Sequence, residues 1–144
     1  MEVGKKLLGV DFGLKRVGFA ECDSMHMLAT PLDVYRTRSM RESIDYTVSV
    51  CNRRDIGGIV VGLPLNLDGT ESLQSGRARA FARVLERVSG LPVELFDERL
   101  TTVEADELLR EAGVKKAAER AALVDSMAAK VILQSYIENN KKRS

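Results

Sequence analysis

The chain has two cysteines, one histidine and three prolines in 144 residues. Cys22 and Cys51 are far apart, form no Cys-x-x-Cys pair and have no Cys/His cluster around them. No zinc site or redox motif is therefore encoded, and both are read as reduced thiols. His26 has no second histidine with which to share a metal and is read as a strand or turn residue. Pro31, Pro64 and Pro92 fall at element edges, so no helix or strand interior is broken. The uninterrupted apolar runs are only a few residues long, far short of the roughly 20 that a membrane span needs. Residues 1–6 are charged, lead straight into a strand and are followed by no signal-peptide pattern, so the expected location is the cytoplasm. Neither sign of charge is in excess. The chain has 22 basic and 21 acidic residues, a net charge of +1. Composition thus does not announce nucleic-acid binding, and any basic surface has to be local.

What is present suits an ordered globular domain. Hydrophobic residues make up 44% and charged residues 30%, enough for a core without staples. No repeat, low-complexity stretch or linker interrupts the chain. The expectation is one domain over residues 1–138 and a charged, solvated tail at 139–144.

Apolar runs predict strands at residues 7–10 and 17–20, with Gly13 and Gly18 bracketing the turn between them, and a third strand at about 27–35. A helix is expected at 39–52, where Ser39 and Glu42 have capping-box spacing and Ile44, Val48 and Cys51 mark an apolar face. Ile59, Val60 and Val61 form a run suited to a strand buried on both sides. A loop at 62–70 contains the turn pair Asp68-Gly69. A second helix follows at 72–89, with the stripe Ala78, Phe81, Ala82, Leu85 and Val88, and Gly90 stops it. A fifth strand at 93–96, a helix at about 103–111 opened by Thr101 and Glu104, and a long helix at about 118–138 complete the chain. A meander followed by alternating strands and helices predicts an α/β fold. Its five-stranded sheet is mixed, an antiparallel meander joined to parallel strands, with helices on its flanks. Ligands of such sheets lie beyond the carboxyl ends of the parallel strands.

Acidic residues occupy those ends. Asp11 directly follows the first strand, and Asp97 and Glu98 end the fifth. Adjacent strand side chains face opposite ways, so at most one of that pair can join Asp11. Asp125 lies in the middle of the last helix, on one stripe with Ala121, Ala128 and Ile132. A carboxylate there is costly unless an arginine or a metal compensates it. If that helix packs across the sheet, three carboxylates converge and repel one another until cations neutralise them. Oxygen donors suit Mg²⁺ or Mn²⁺. Two such ions about 4 Å apart can activate a water and stabilise the leaving oxygen of a phosphoryl displacement. Basic candidates for holding a polyanion are Lys15 and Arg16 in the first hairpin turn, Arg79, Arg83 and Arg87 along one helix face, and Arg99. The loop at 66–70 leads into a helix N-terminus.

Taken in order, Gly9-Val10-Asp11-Phe12-Gly13 with Arg16-Val17-Gly18 is the first of four motifs. The others are Val60-Val61-Gly62-Leu63-Pro64-Leu65-Asn66 with Asp68-Gly69-Thr70, then Asp97-Glu98-Arg99-Leu100-Thr101-Thr102, and Asp125 with Ala128-Ala129 and Ile132-Leu133. Together they resemble the YqgF (RuvX) family, relatives of the RuvC Holliday-junction resolvase. The segment at 115–120 is less basic than the family pattern. The resemblance implies a ribonuclease H-like fold and a Mg²⁺- or Mn²⁺-dependent endonuclease with two ions. It implies a triad carried by Asp11, Glu98 and Asp125, with Asp97 as second choice to Glu98. The nucleic-acid contacts expected around it are Lys15, Arg16, Asn66, Arg79, Arg83, Arg99 and Thr101. The implied work is 5′ maturation of pre-16S rRNA in ribosome biogenesis, by a monomer or homodimer that meets pre-rRNA or ribosomal particles. Branched DNA is the alternative substrate, and a non-catalytic binding module or a small phosphotransferase are competing readings.

Overall fold

A computed structural model of the chain describes residues 1–101 and 117–143, with side chains for 1–101 and 125–141. The helix expected at 103–111 lies outside the described residues.

Five strands, β1 (Lys6–Phe12), β2 (Arg16–Cys22), β3 (Ala29–Arg36), β4 (Ile56–Leu63) and β5 (Val93–Asp97), form one sheet in the order β3-β2-β1-β4-β5. The β1–β2 and β2–β3 pairs are antiparallel, while β1–β4 and β4–β5 are parallel. This is the mixed sheet that the apolar pattern predicts. The parallel register sets Val10 beside Val61 and Leu63 beside Asp97, so the carboxyl ends of β1, β4 and β5 finish together.

Alternation along the strands builds two unequal layers. Leu8, Val10, Val17, Phe19, Ile59 and Val61 face one side, where Ile44, Val50, Phe81 and Leu85 cover them. Those last four come from α1 (Met40–Arg53) and α2 (Leu73–Ser89). Leu7, Ala20, Cys22, Val60 and Phe96 face the other side, beneath Ala129, Ile132, Leu133 and Ile137. That cover is a single helix, α3 (Ala117–Arg143), which packs across β1, β2, β3 and β4.

The helix signals act as local chemistry requires, with exceptions. Ser39 caps α1 by accepting from the Glu42 amide at 3.1 Å, but the Glu42 carboxylate takes Tyr35 and Arg38 rather than closing the box. Ser72 and Ser75 form a reciprocal capping box on α2, and Gly90 ends that helix in a left-handed conformation. Val88 is 53% exposed, because it sits at the margin of the stripe in the last turn. The third strand begins at Ala29, not Met27. His26 adopts a positive φ of 52° and is buried against the Lys5 carbonyl, which holds residues 23–28 in a turn. The last helix continues past Glu138 to Arg143, so residues 139–143, expected as a charged tail, belong to the helix. The two cysteines are free and buried.

The Ala- and Gly-rich composition of the α3 side has a steric purpose. A Cβ added to Gly18 would stand 2.1 Å from the Asp125 carbonyl oxygen, and one added to Gly62 would stand 2.5 Å from Ile132 Cδ1. The helix backbone therefore rests on the sheet itself at Gly18. Gly18→Ala is expected to push α3 outward and destabilise the fold by about 2 kcal/mol or more, read by urea unfolding. Wild-type stability in that variant would refute the contact.

Candidate active site

Asp11 projects from β1 on the α3 side of the sheet. It pairs across the ladder with Gly18, whose own α3-side surface is covered by the Asp125 peptide. The next residue, Phe12, turns to the opposite face and stacks on Phe81 at 4.3 Å, which fixes the end of β1. The register of β1 against β2 and the seating of α3 thus bring Asp11 and Asp125 to one place.

Glu98 reaches the same place through a short turn that sequence periodicity did not show. A 3₁₀ turn, Glu98–Leu100, follows β5 directly, and Asp97 caps it by accepting from the Arg99 amide at 3.0 Å. The Asp97 carboxylate also binds the Arg99 guanidinium, with Nη2 at 2.7 Å. Of the adjacent acids, Asp97 is therefore committed to Arg99, and that cation holds its carboxyl below the usual range. Glu98 instead points toward Gly62, where a Cβ would come within 3.2 Å of its carboxylate.

Asp11, Glu98 and Asp125 line one cleft of about 380 Å³ together with Lys15, Arg16, Pro64 and Gln74. The electrostatics show how crowded the acids are. Burial, followed by the charge of Asp125, raises the Asp11 carboxyl to about 6. Burial, followed by the charges of Asp11 and Asp97, raises Glu98 to about 7. Asp125 has a partner: Arg16 Nε donates to its Oδ2 at 2.6 Å.

The donor set is all carboxylate oxygen, which suits a hard divalent cation. The Arg16 guanidinium stands where such a charge is needed. Among the described residues, no three acidic, His or Cys side chains are close enough together to grip an ion as they stand. The set fits a divalent cation in chemistry and charge, with one oxygen of Asp125 taken by Arg16 in this structure.

The other basic and polar candidates fall outside the cleft lining. Asn66 donates to Thr70 and to the Glu71 carbonyl within its own loop. Arg99 holds Asp97 and reaches the Leu67 carbonyl at 3.4 Å. The Thr101 hydroxyl donates to the Glu98 carbonyl at 2.9 Å, bracing the turn from behind. Arg79 is paired with Glu71, and with Arg83 it lines a separate groove of about 230 Å³. Gln74, in the first turn of α2, lines the cleft but was not anticipated. Its signal was its place two residues after the capping Ser72, and a neutral side chain there carries no charge pattern.

The sheet order and the long helix across it define a ribonuclease H-like fold. The T. thermophilus RuvC structure in complex with a Holliday junction substrate superposes with a TM-score of 0.62 at 16% identity, over 97% of this chain and 98% of that one. The Fowlpox virus resolvase bound to its Holliday junction DNA superposes with a TM-score of 0.56 at 11% identity, over 94% and 98%. The chain belongs to the RuvX family, whose model, described as "Holliday junction resolvase", matches residues 5–139. A relative from Anaeromyxobacter sp. (strain Fw109-5) is 44% identical over 133 residues, 92% of this chain and 96% of that protein. Another from Syntrophus aciditrophicus (strain SB) is 42% identical over 133 residues, 92% and 88% of the two chains. Both relatives carry the name "Putative pre-16S rRNA nuclease".

The raised carboxyls have a consequence for stability. Asp11 and Glu98 keep their protons to higher pH in the folded chain than in the unfolded one. Their contribution is therefore complete below about pH 4 and is lost as pH rises through about 6 to 7. In EDTA, the Asp11→Asn variant is expected to match the wild type near pH 4 and to exceed it by about 2 kcal/mol at pH 8, measured by urea unfolding. A variant less stable than wild type at pH 8 would contradict this account.

Proposed function

We propose that this chain is a divalent-metal-dependent endonuclease that hydrolyses nucleic-acid phosphodiesters, acting in maturation of the 5′ end of pre-16S rRNA. The observation that carries the reading is the opening of Asp11, Glu98 and Asp125 into one cleft beside Lys15 and Arg16. The names of the relatives support the rRNA substrate.

In this proposal the three carboxylates would hold Mg²⁺ or Mn²⁺, as two ions. When bound, such ions supply an activated water and charge stabilisation at the leaving oxygen. The protein's own groups do the rest. Asp11 and Glu98 would hold the cation as deprotonated, hard anionic ligands, which its charge would favour. Lys15 and Arg16, on the β1–β2 turn, receive the substrate phosphate at the mouth of the cleft. Gln74, which lines the same cleft, offers a neutral donor and acceptor. Arg99, Asn66 and Thr101 act at one remove, by fixing the 64–71 loop and the Glu98 turn. Arg79 and Arg83 form an outlying contact for backbone flanking the cut. This reading puts the work of the chain in the cytoplasm, on pre-rRNA or on ribosomal particles.

The family description favours a second substrate, branched DNA. Cutting a junction symmetrically requires two opposed sites and hence a homodimer, whereas trimming one strand does not.

The test is cleavage of end-labelled pre-16S rRNA leader fragments and four-way DNA junctions with Mg²⁺, Mn²⁺ or EDTA. Metal-dependent cutting of the RNA is expected, with a loss of roughly 100-fold or more in Asp11→Asn. Cutting of the junction alone would move the substrate to DNA. Cleavage that survives in Asp11→Asn, with contaminating nuclease excluded, would overturn the proposal.

A further inference from the structure

Arg16 is the first residue of β2, and its carbonyl closes the hairpin turn by accepting from the Gly13 amide at 3.0 Å. Its backbone is fixed while its side chain stays 40% exposed at the mouth of the cleft. From there it takes Asp125 Oδ2, and Asp125 is itself anchored through its peptide against Gly18. The partners lie 109 residues apart in sequence, and they join the first hairpin to the last helix. Among the described residues Asp11 and Glu98, in the same cleft, form no ion pair, and their carboxyls carry the electrostatic burden described above.

A guanidinium and a divalent cation compete for the same carboxylate. The planar fork of arginine is equally suited to phosphate, so a charge displaced from Asp125 has a ready destination when a strand is bound. We propose that Arg16 is a positioning residue that holds Asp125 in the metal-free protein, yields it to the entering divalent cation, and turns its guanidinium to a phosphate of the bound strand. The inference rests on the metal-site reading above. It implies that nucleic acid and metal reinforce each other's binding, because each draws apart the same ion pair, and linkage makes that coupling reciprocal.

The test is titration of the metal-free full chain with Mn²⁺, following free Mn²⁺ by electron paramagnetic resonance. Wild type, Arg16→Gln, Arg16→Lys and Asp11→Asn are compared, with circular dichroism melts to confirm folding. Arg16→Gln is expected to bind Mn²⁺ about five-fold more tightly than wild type, opposite to what a merely structural role would give. Arg16→Lys, which keeps the charge but loses the fork, is expected to tighten it by a smaller factor. That variant carries the test if Arg16→Gln does not fold. The same Gln variant is expected to bind a phosphorothioate RNA 20-mer more weakly in EDTA. Unchanged or weaker Mn²⁺ binding in folded Arg16 variants, alongside loss of binding in Asp11→Asn, would overturn the role of Arg16 and leave the metal site standing. Absence of Mn²⁺ binding in wild type and Arg16 variants alike would overturn both.

Discussion

Beneath Asp125 the sheet presents no side chain. Gly18 lies there, and the helix backbone sits so near that even a methyl group would collide with the Asp125 carbonyl. The arrangement of the cleft follows from this contact. Asp11 is the ladder partner of Gly18, so the strand that carries the first carboxylate and the helix that carries the third are referenced to one residue. Glu98 is set by a neighbouring constraint, since its carboxylate occupies the space above Gly62. A thicker residue at either position would leave the fold recognisable but separate the acids by lifting the helix.

Bringing carboxylates so close creates a debt of repulsion that the fold settles unevenly. Asp97 is neutralised by Arg99 and Asp125 by Arg16, and both bonds are short. Among the described residues Asp11 and Glu98 have no such cation, and burial, followed by the charge of Asp125 on Asp11 and of Asp11 and Asp97 on Glu98, holds their protons well above the ordinary carboxylate range. Adjacent residues are therefore placed differently: Asp97 caps and stabilises a turn, and that turn carries Glu98 into the cleft. The exposed loop after β4 follows the same logic, since its hydrogen bonds run inward and Arg99 ties it to β5.

Much of this architecture was legible in the amino-acid order. Ile59-Val60-Val61 declared a strand buried on both faces, and the α2 stripe from Ala78 to Leu85 declared the helix face that meets the sheet. Asp11 and Asp125 stood out because acid after an apolar strand, or within an apolar helical stripe, demands compensation. What escaped was whatever depends on distance and not on period. Gly18 read as a turn glycine, but its reason is a helix more than a hundred residues downstream. The 3₁₀ turn at Glu98 is too short to show a period, although it decides which of two adjacent acids enters the cleft. Basic residues were the least legible. Arg79 and Arg99 read as candidate nucleic-acid contacts; each is also paired with a nearby carboxylate, and sequence does not reveal pairing.

The sheet separates two interiors of different character, a bulky one rich in Phe, Ile and Leu and a thinner one seated on glycine and alanine. Each holds one cysteine: Cys51 on the buried face of α1, and Cys22 at the end of β2 beneath α3. Burial raises both thiols above their ordinary values, Cys51 to about 11, so neither reacts while its layer is closed. The molecule thus contains two chemical clocks on opposite sides of one sheet. The order in which a thiol reagent reaches them reports which layer opens first, and so whether the helix over the acidic cleft can lift while the rest of the domain stays folded.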